Sequence, residues 1–189
     1  MRSQTVAASE GASRIGRLLL PLLAEQGFRL LLADPTLRDA DVAGLVPEPA
    51  RVELVGLDDL LRRFHVVTVH APELPQTRHL LDARRLALMP DGAVLVNTAR
   101  GSLVDTAALT RECASGRLDA VLDVTDPEPL PAGHPLFALP NVLVTPHIAG
   151  AMGTEVGRLG EFAVAEVERY AAGLPLAGLV RADDLGRIA

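Results

Sequence analysis

Two kinds of apolar pattern alternate along the chain. Short runs rich in β-branched residues predict strands, and longer stretches with an apolar residue every three or four positions predict amphipathic helices. The first strand falls on Thr5–Ser9. A helix over residues 14–26 follows, carried by Ile15, Leu18, Leu19, Leu22 and Leu23 and stopped at Gly27. Arg29–Ala33 reads as the second strand and ends on Asp34-Pro35. Beyond it the pattern predicts strands over 52–55, 66–70, Ala93–Asn97, 120–123 and 142–145. Helices are predicted over 57–64, 82–89, 105–115 and 154–172, with Asp82 a suitable N-cap and Gly116 a suitable stop. The last helix is the longest, and Val156, Leu159, Phe162, Val164, Val167 and Tyr170 give it an apolar side. Strands alternating with helices mean an α/β fold, a doubly wound parallel sheet with helices on both faces. The one Pro-rich stretch, residues 126–140, is a long loop between strands, and loops of that length in compact domains are often functional.

Candidate chemistry begins at the first turn. Gly11-Ala12-Ser13-Arg14-Ile15-Gly16 lies between a predicted strand and a predicted helix, the context of a dinucleotide fingerprint. Such a turn aims helix N-terminal amides at a pyrophosphate. Asp34 ends the second strand, where a carboxylate accepts hydrogen bonds from ribose hydroxyls and repels the extra phosphate of NADP, so NAD is favoured. Three residues depart from the pattern. Ser13 stands in place of the second glycine, Glu10 sits at the end of the first strand, and Pro21 falls inside the helix, where it costs up to ~3 kcal/mol unless the helix kinks. Alone, the turn is equally readable as a plain strand–turn–helix.

Composition narrows the classes. Aromatic residues make up only 3%, so the core must be built from Leu, Val, Ile and Ala. A net charge of -6 with no basic block argues against a nucleic-acid partner. Cys113 is the only cysteine, which leaves no disulfide framework or thiolate metal cage, and no metal site is expected. No apolar run reaches the ~18 residues of a membrane span, and Met1 to Glu10 lack a leader's apolar core. A cytoplasmic location is the expectation.

The second half is more specific. Asn97-Thr98-Ala99-Arg100-Gly101-Ser102-Leu103-Val104-Asp105, then Leu122-Asp123-Val124-Thr125-Asp126-Pro127-Glu128-Pro129-Leu130, then Asn141-Val142-Leu143-Val144-Thr145-Pro146-His147-Ile148-Ala149-Gly150 resemble, in order, the three signatures of D-2-hydroxyacid dehydrogenases. Val69-His70-Ala71-Pro72, with Thr77-Arg78-His79-Leu80 after it, also fits. The resemblance runs from Thr5 into the last helix and implies a Rossmann-type NAD-binding domain. It also implies roles. Arg100 would bind the carboxylate and carbonyl of a 2-oxo acid, a task suited to a planar, permanently charged guanidinium. His147 would donate the proton in reduction and accept it in oxidation. Glu128 would pair with His147, orient its ring and favour its charged form. Asp123 would face the nicotinamide carboxamide. Gly11, Ser13, Arg14, Ile15 and Gly16 would lie along the pyrophosphate, Asp34 on the ribose, and Ala71, Pro72, Thr98, Ala99, Arg100, His147 and Gly150 along the rest of the NAD site. His70 would be a strand-end neighbour of the cofactor, His65, His79 and His134 structural or surface residues, and Cys113 a packing thiol.

The same resemblance divides the chain into an NAD-binding unit, residues 1–150, and a tail, 151–189, that in the family returns to a substrate domain. Most of that second domain is expected to be missing. A small 2-hydroxy or 2-oxo acid is the expected substrate, a second copy of the chain the expected partner, and weak catalysis by this chain alone the expected consequence. Two other readings stand beside the dehydrogenase: a non-enzymatic NAD-binding or interaction module derived from the family, and a formate dehydrogenase, against which Glu128 speaks because those enzymes typically carry Gln there.

Overall fold

The computed structural model describes residues 5–9 (backbone only), 13–48 and 50–182. The calls on Glu10 and Gly11 lie outside the described residues. Seven parallel strands form one sheet in the order β3-β2-β1-β4-β5-β6-β7. They are β1 (Thr5–Ser9), β2 (Arg29–Ala33), β3 (Val52–Leu54), β4 (Val66–Val69), β5 (Ala93–Asn97), β6 (Leu118–Leu122) and β7 (Val142–Val144). The helices between them are α1 (Arg14–Glu25), α2 (Asp39–Val42), α3 (Leu57–Arg63), α4 (Ala83–Leu86) and α5 (Thr106–Ala114), and α6 (Thr154–Ala171) follows β7. The chain builds outward from β1 to β3, then crosses back to β4 on the other side of β1. That reversal opens a crevice at the carboxyl ends of β1 and β4, where open α/β sheets place ligands.

Strand alternation sorts side chains to two faces. Leu31 and Ala33 of β2 join Val67, Val69, Leu95 and Ala120 in the main core, covered by Leu60 and Leu61 of α3, Leu86 of α4 and Leu109 of α5. Leu30 and Leu32 face the other way and meet Leu20 of α1. Coverage of this second face is uneven. Register places Val96 beside Val121 and Val121 beside Leu143, and this row is only partly buried or exposed.

Helix α1 runs through Pro21 without a break, although that ring removes the donor that Arg17's carbonyl would take. Its buried contacts are Gly16 and Leu20, whereas Ile15, Leu18 and Leu22 of the apolar stripe are exposed, Leu18 at 72%. Asp82 caps α4 by accepting from the Arg85 amide, and Asp105 caps α5 by accepting from the Ala108 amide, each at the predicted helix start. Helix α6 buries none of its residues; its partner is the turn after it, where the amides of Ala177 and Gly178 donate to Glu166. Among the described residues no helix is long and apolar enough to cross a membrane.

Candidate active site at the carboxyl edge of the sheet

Every described candidate residue lies at, or just beyond, the carboxyl end of a strand or at the start of α1. At the cofactor end, Ser13 is buried and caps α1: its hydroxyl accepts from the Gly16 amide at 3.2 Å. The side chain expected to obstruct a pyrophosphate therefore also occupies one helix N-terminal donor. Arg14 and Ile15 are exposed beside it, and Gly16 is buried. Asp34 stands at the end of β2, its Oδ1 fixed by the amide and hydroxyl of Thr36 at 2.8 and 2.6 Å. Ala71 is fully buried after β4, with Pro72 partly buried next to it. A capped helix start, an oriented carboxylate on β2 and small residues beyond β4, all around the switch-point crevice, suit a dinucleotide.

The other end of the edge is built from the crossovers after β5, β6 and β7. Asn97 closes β5, and its buried side chain shapes the next turn: Oδ1 accepts from the Ala99 amide and Nδ2 donates to the Arg100 carbonyl. That turn partly buries Thr98, buries Ala99 and leaves Arg100 half exposed, its side chain at 50%. Gly101 follows in a 3₁₀ turn, Gly101–Leu103, pressed under the loop after β6. A Cβ there would lie 2.0 Å from the Thr125 carbonyl oxygen, so only glycine fits. The segment after β4 is zipped to the same turn by His79 N donating to Ser102 O and Leu81 N to Leu103 O. This brings Glu73 to the Ser102 hydroxyl at 2.6 Å and to Arg100 Nε at 3.9 Å. Arg78 pairs with Asp126 across the same gap, at 3.3 Å.

Asp123 ends β6 and is buried. Its carboxylate accepts from Thr145 Oγ1 at 2.5 Å and from the amides of Ile148 and Ala149 at 2.8 Å each. Burial alone would raise its pKa, but these donors and the adjacent His147 outweigh it and hold the carboxyl below its ordinary range. Asp123 thus clamps the loop after β7. His147 lies in that loop with φ of +53°, a left-handed conformation that costs energy for a residue with a Cβ. Its amide donates to the Asp123 carbonyl, and its Nδ1 is 2.6 Å from Glu128 Oε1. The pair is reached from solvent, with the His147 side chain 51% exposed. Gly150 is exposed, and a side chain there would touch nothing within 4 Å.

His70, Cys113 and His134 are held by local contacts or burial. His70 is buried, donates or accepts at Thr68 Oγ1, and is pushed below its ordinary pKa by burial, so it stays neutral. Burial, with Asp119 and Glu112 nearby, raises the Cys113 thiol to about 11, which leaves an inert packing group. His134 caps a 3₁₀ turn, Pro135–Phe137, through Nδ1. Asn97, Glu73 and Ser102 were not singled out as site groups by sequence; Glu73 and Ser102 meet only once the crossovers after β4 and β5 are zipped together, whereas the partners of Asn97 lie two and three residues on, in a local turn.

Comparison with known proteins bears on the family and the fold. The family model described as "D-isomer specific 2-hydroxyacid dehydrogenase, NAD binding domain" matches residues 2–149. The glyoxylate reductase of Thermofilum pendens is 38% identical over 154 residues, 81% of this chain and 44% of that protein. Among solved structures, D-lactate dehydrogenase with NAD+ from Lactobacillus jensenii is 27% identical with a TM-score of 0.79, covering 94% of this chain and 56% of that one. A D-isomer specific 2-hydroxyacid dehydrogenase from Xanthobacter autotrophicus Py2, in complex with NADPH and MES, is 34% identical with a TM-score of 0.74, covering 94% of this chain and 71% of that one. The chain spans less than half the length of the reductase and just over half of the lactate dehydrogenase. It belongs to the D-isomer specific 2-hydroxyacid dehydrogenase family, and residues 2–149 are its NAD-binding domain.

Proposed function

We propose that this domain serves the reversible interconversion of a D-2-hydroxy acid and its 2-oxo acid, with Arg100, Glu128 and His147 as the working side chains. The observation that carries the reading is the 2.6 Å contact of His147 Nδ1 with Glu128 Oε1, on the same sheet edge as Arg100. A carboxylate at Nδ1 favours the proton on that nitrogen and leaves Nε2 to exchange a proton with the substrate oxygen. Arg100 pairs with the substrate carboxylate and sets the orientation of the C2 carbonyl. Bound NAD supplies or takes up the hydride. Asp123 acts as a positioning residue, since its three acceptor contacts keep the loop bearing His147 in place. Gly11 and Gly16, with Ser13, Arg14 and Ile15, meet the pyrophosphate; Asp34 meets the ribose; Ala71, Pro72, Thr98, Ala99 and Gly150 border the cofactor. Asp34 favours NAD over NADP by charge repulsion. Residues 1–150 form the cofactor unit and 151–189 an appended tail; we place the protein in the cytoplasm.

Exposure of both Arg100 and His147 supports slow turnover by this chain alone, because water is not kept from the reacting atoms. The unburied apolar side of α6 favours a second reading, an NAD-binding interaction module or a homodimer formed through that helix. Calorimetric titration with NADH and NADPH tests the first reading. Micromolar NADH affinity, retained in His147→Asn while any turnover disappears, is expected; absence of NADH binding overturns it. Light scattering tests the second, which falls if the chain is monomeric with or without NADH.

A further inference from the structure

The guanidinium of Arg100 is already engaged by the chain itself. Its Nη1 donates to the carbonyl of the preceding residue, Ala99, at 2.6 Å, and its Nε faces Glu73 Oε2 at 3.9 Å. A guanidinium grips a carboxylate through one of two forks, Nε with Nη2 or Nη1 with Nη2. Each fork therefore contains one nitrogen that the chain uses or faces. Glu73 is held in this place from two sides. Its Oε1 accepts from Ser102 Oγ at 2.6 Å, and Ser102 is a buried residue of the 3₁₀ turn that follows Arg100. The backbone around Glu73 forms a turn closed by Thr77, whose hydroxyl accepts from the Leu74 amide at 2.8 Å and donates to the Pro72 carbonyl at 2.7 Å. The carboxylate and the guanidinium are thus tied to the same turn.

We infer that Glu73 is a built-in competitor for the substrate carboxylate: it stands at one side of Arg100, so that a 2-oxo acid binds by exchange of one carboxylate for another. This role rests on Arg100 being the partner of the substrate, as in the dehydrogenase reading above, and adds a residue that sets the affinity. When the acid arrives, Oε2 of Glu73 yields Arg100 while Oε1 keeps the Ser102 hydroxyl. Two carboxylates then lie beside one cation, and their repulsion weakens the acid. The Arg100 and Glu73 side chains are 50% and 57% exposed, so water screens this repulsion and the effect is modest. A neutral side chain at position 73 removes the competition without touching Arg100.

The probe is oxamate, a carboxylate–carbonyl pair that hydride does not reduce, titrated by calorimetry into the chain loaded with NADH. Glu73→Gln keeps an oxygen for Ser102 and removes the charge; it should tighten oxamate about threefold and leave NADH affinity unchanged. Ser102→Ala unties Glu73 and should tighten oxamate by less. The double variant should gain nothing over Glu73→Gln alone, because Ser102 acts only through that carboxylate. A merely structural role for either residue would not tighten binding. Equal or weaker oxamate binding by Glu73→Gln overturns the exchange, as does a further gain in the double variant, or no oxamate binding by any of these chains while NADH is bound. Arg100→Gln in the Glu73→Gln background separates the two readings. Oxamate binding that ignores Arg100 removes the substrate role of Arg100 as well, whereas binding that needs Arg100 but ignores Glu73 overturns the exchange alone. Failure of NADH itself removes both.

Discussion

Replacing Asp123 by Asn tests whether one carboxylate holds the histidine loop. The substitution keeps shape and removes charge. Two of the three donors, Thr145 Oγ1 and the Ile148 amide, converge on Oδ1, and the Ala149 amide meets Oδ2. An amide side chain has one acceptor oxygen. If it takes the Oδ1 place, its NH₂ faces the Ala149 N–H; if it flips, the Ile148 N–H loses its acceptor. Either way one amide is left opposite a donor, which costs about 1–3 kcal/mol. With a urea m-value of about 2 kcal/mol/M, the midpoint should fall by about 0.5–1.5 M at pH 7. The pH dependence has a definite sign. The folded carboxyl ionises below the ordinary value of 3.8, so its stabilisation is complete above that value and is lost as pH falls through the lower folded pKa. The gap between wild type and Asp123→Asn should therefore close below about pH 4. Equal midpoints at pH 7, or a gap that persists undiminished in acid, would refute the clamp.

Three further changes address other parts of the edge. Gly101→Ala forces a methyl against the Thr125–Asp126 backbone and should cost more than about 2 kcal/mol in chemical denaturation; a loss under 0.5 would contradict the close approach at about that scale. Asp34→Gly removes the anion that opposes a 2′-phosphate and should move the NADH-to-NADPH affinity ratio at least about tenfold toward NADPH, and an unchanged ratio in calorimetry would discard Asp34 as the selector. Ser13→Gly frees the Gly16 amide at a capping cost of only a few tenths of a kcal/mol, roughly, so NADH should bind about threefold more tightly with little change in melting temperature; weaker binding would show that the hydroxyl helps the cofactor.

Sequence pattern located elements best where burial dictated every residue. The run Leu30-Leu31-Leu32-Ala33 is buried on both faces, and β2 has the predicted ends; β5 keeps its predicted ends too because its less buried positions, Val94 and Val96, are also apolar. Pattern failed where one face was open. Strand β6 begins at Leu118, two residues before the predicted start, because Asp119 points to the thinly covered face and interrupts the apolar run without interrupting the ladder. The same cause hides the fate of Ile15, Leu18 and Leu22. Their periodicity announces a helix, but periodicity does not say which neighbour covers it, and these three are exposed. The pairing of Glu128 with His147 was legible because each stands in its own ordered motif. The side-chain direction of Asp123 was not: its donors lie at 145, 148 and 149 and converge only after β7 has added beside β6. Glu73 and Ser102, 29 residues apart, meet for a similar reason.

The two ends of the edge are held by different means, and this has a consequence for how they fail. The groups we assign to the cofactor depend on α1 and β2: a helix cap at Ser13 and an Asx-type turn at Asp34, both local in sequence. The groups we assign to the substrate depend on ties between distant crossovers. Gly101 seats the Arg100 turn under Thr125, Thr106 Oγ1 donates to the Asp126 carbonyl, Arg78 pairs with Asp126, and Asp123 holds the loop of His147. Contacts within one turn survive loosening of the rest of the domain, whereas contacts between crossovers are lost together because each depends on the placement of the others. Destabilisation should therefore reach the Glu128–His147 pair before Asp34. Under mild denaturant, hydrogen exchange at the amides of Ile148, Ala149 and His79 should rise in step, ahead of the β2 amides, and uncoupled exchange among those three would show that the crossovers do not act as one unit.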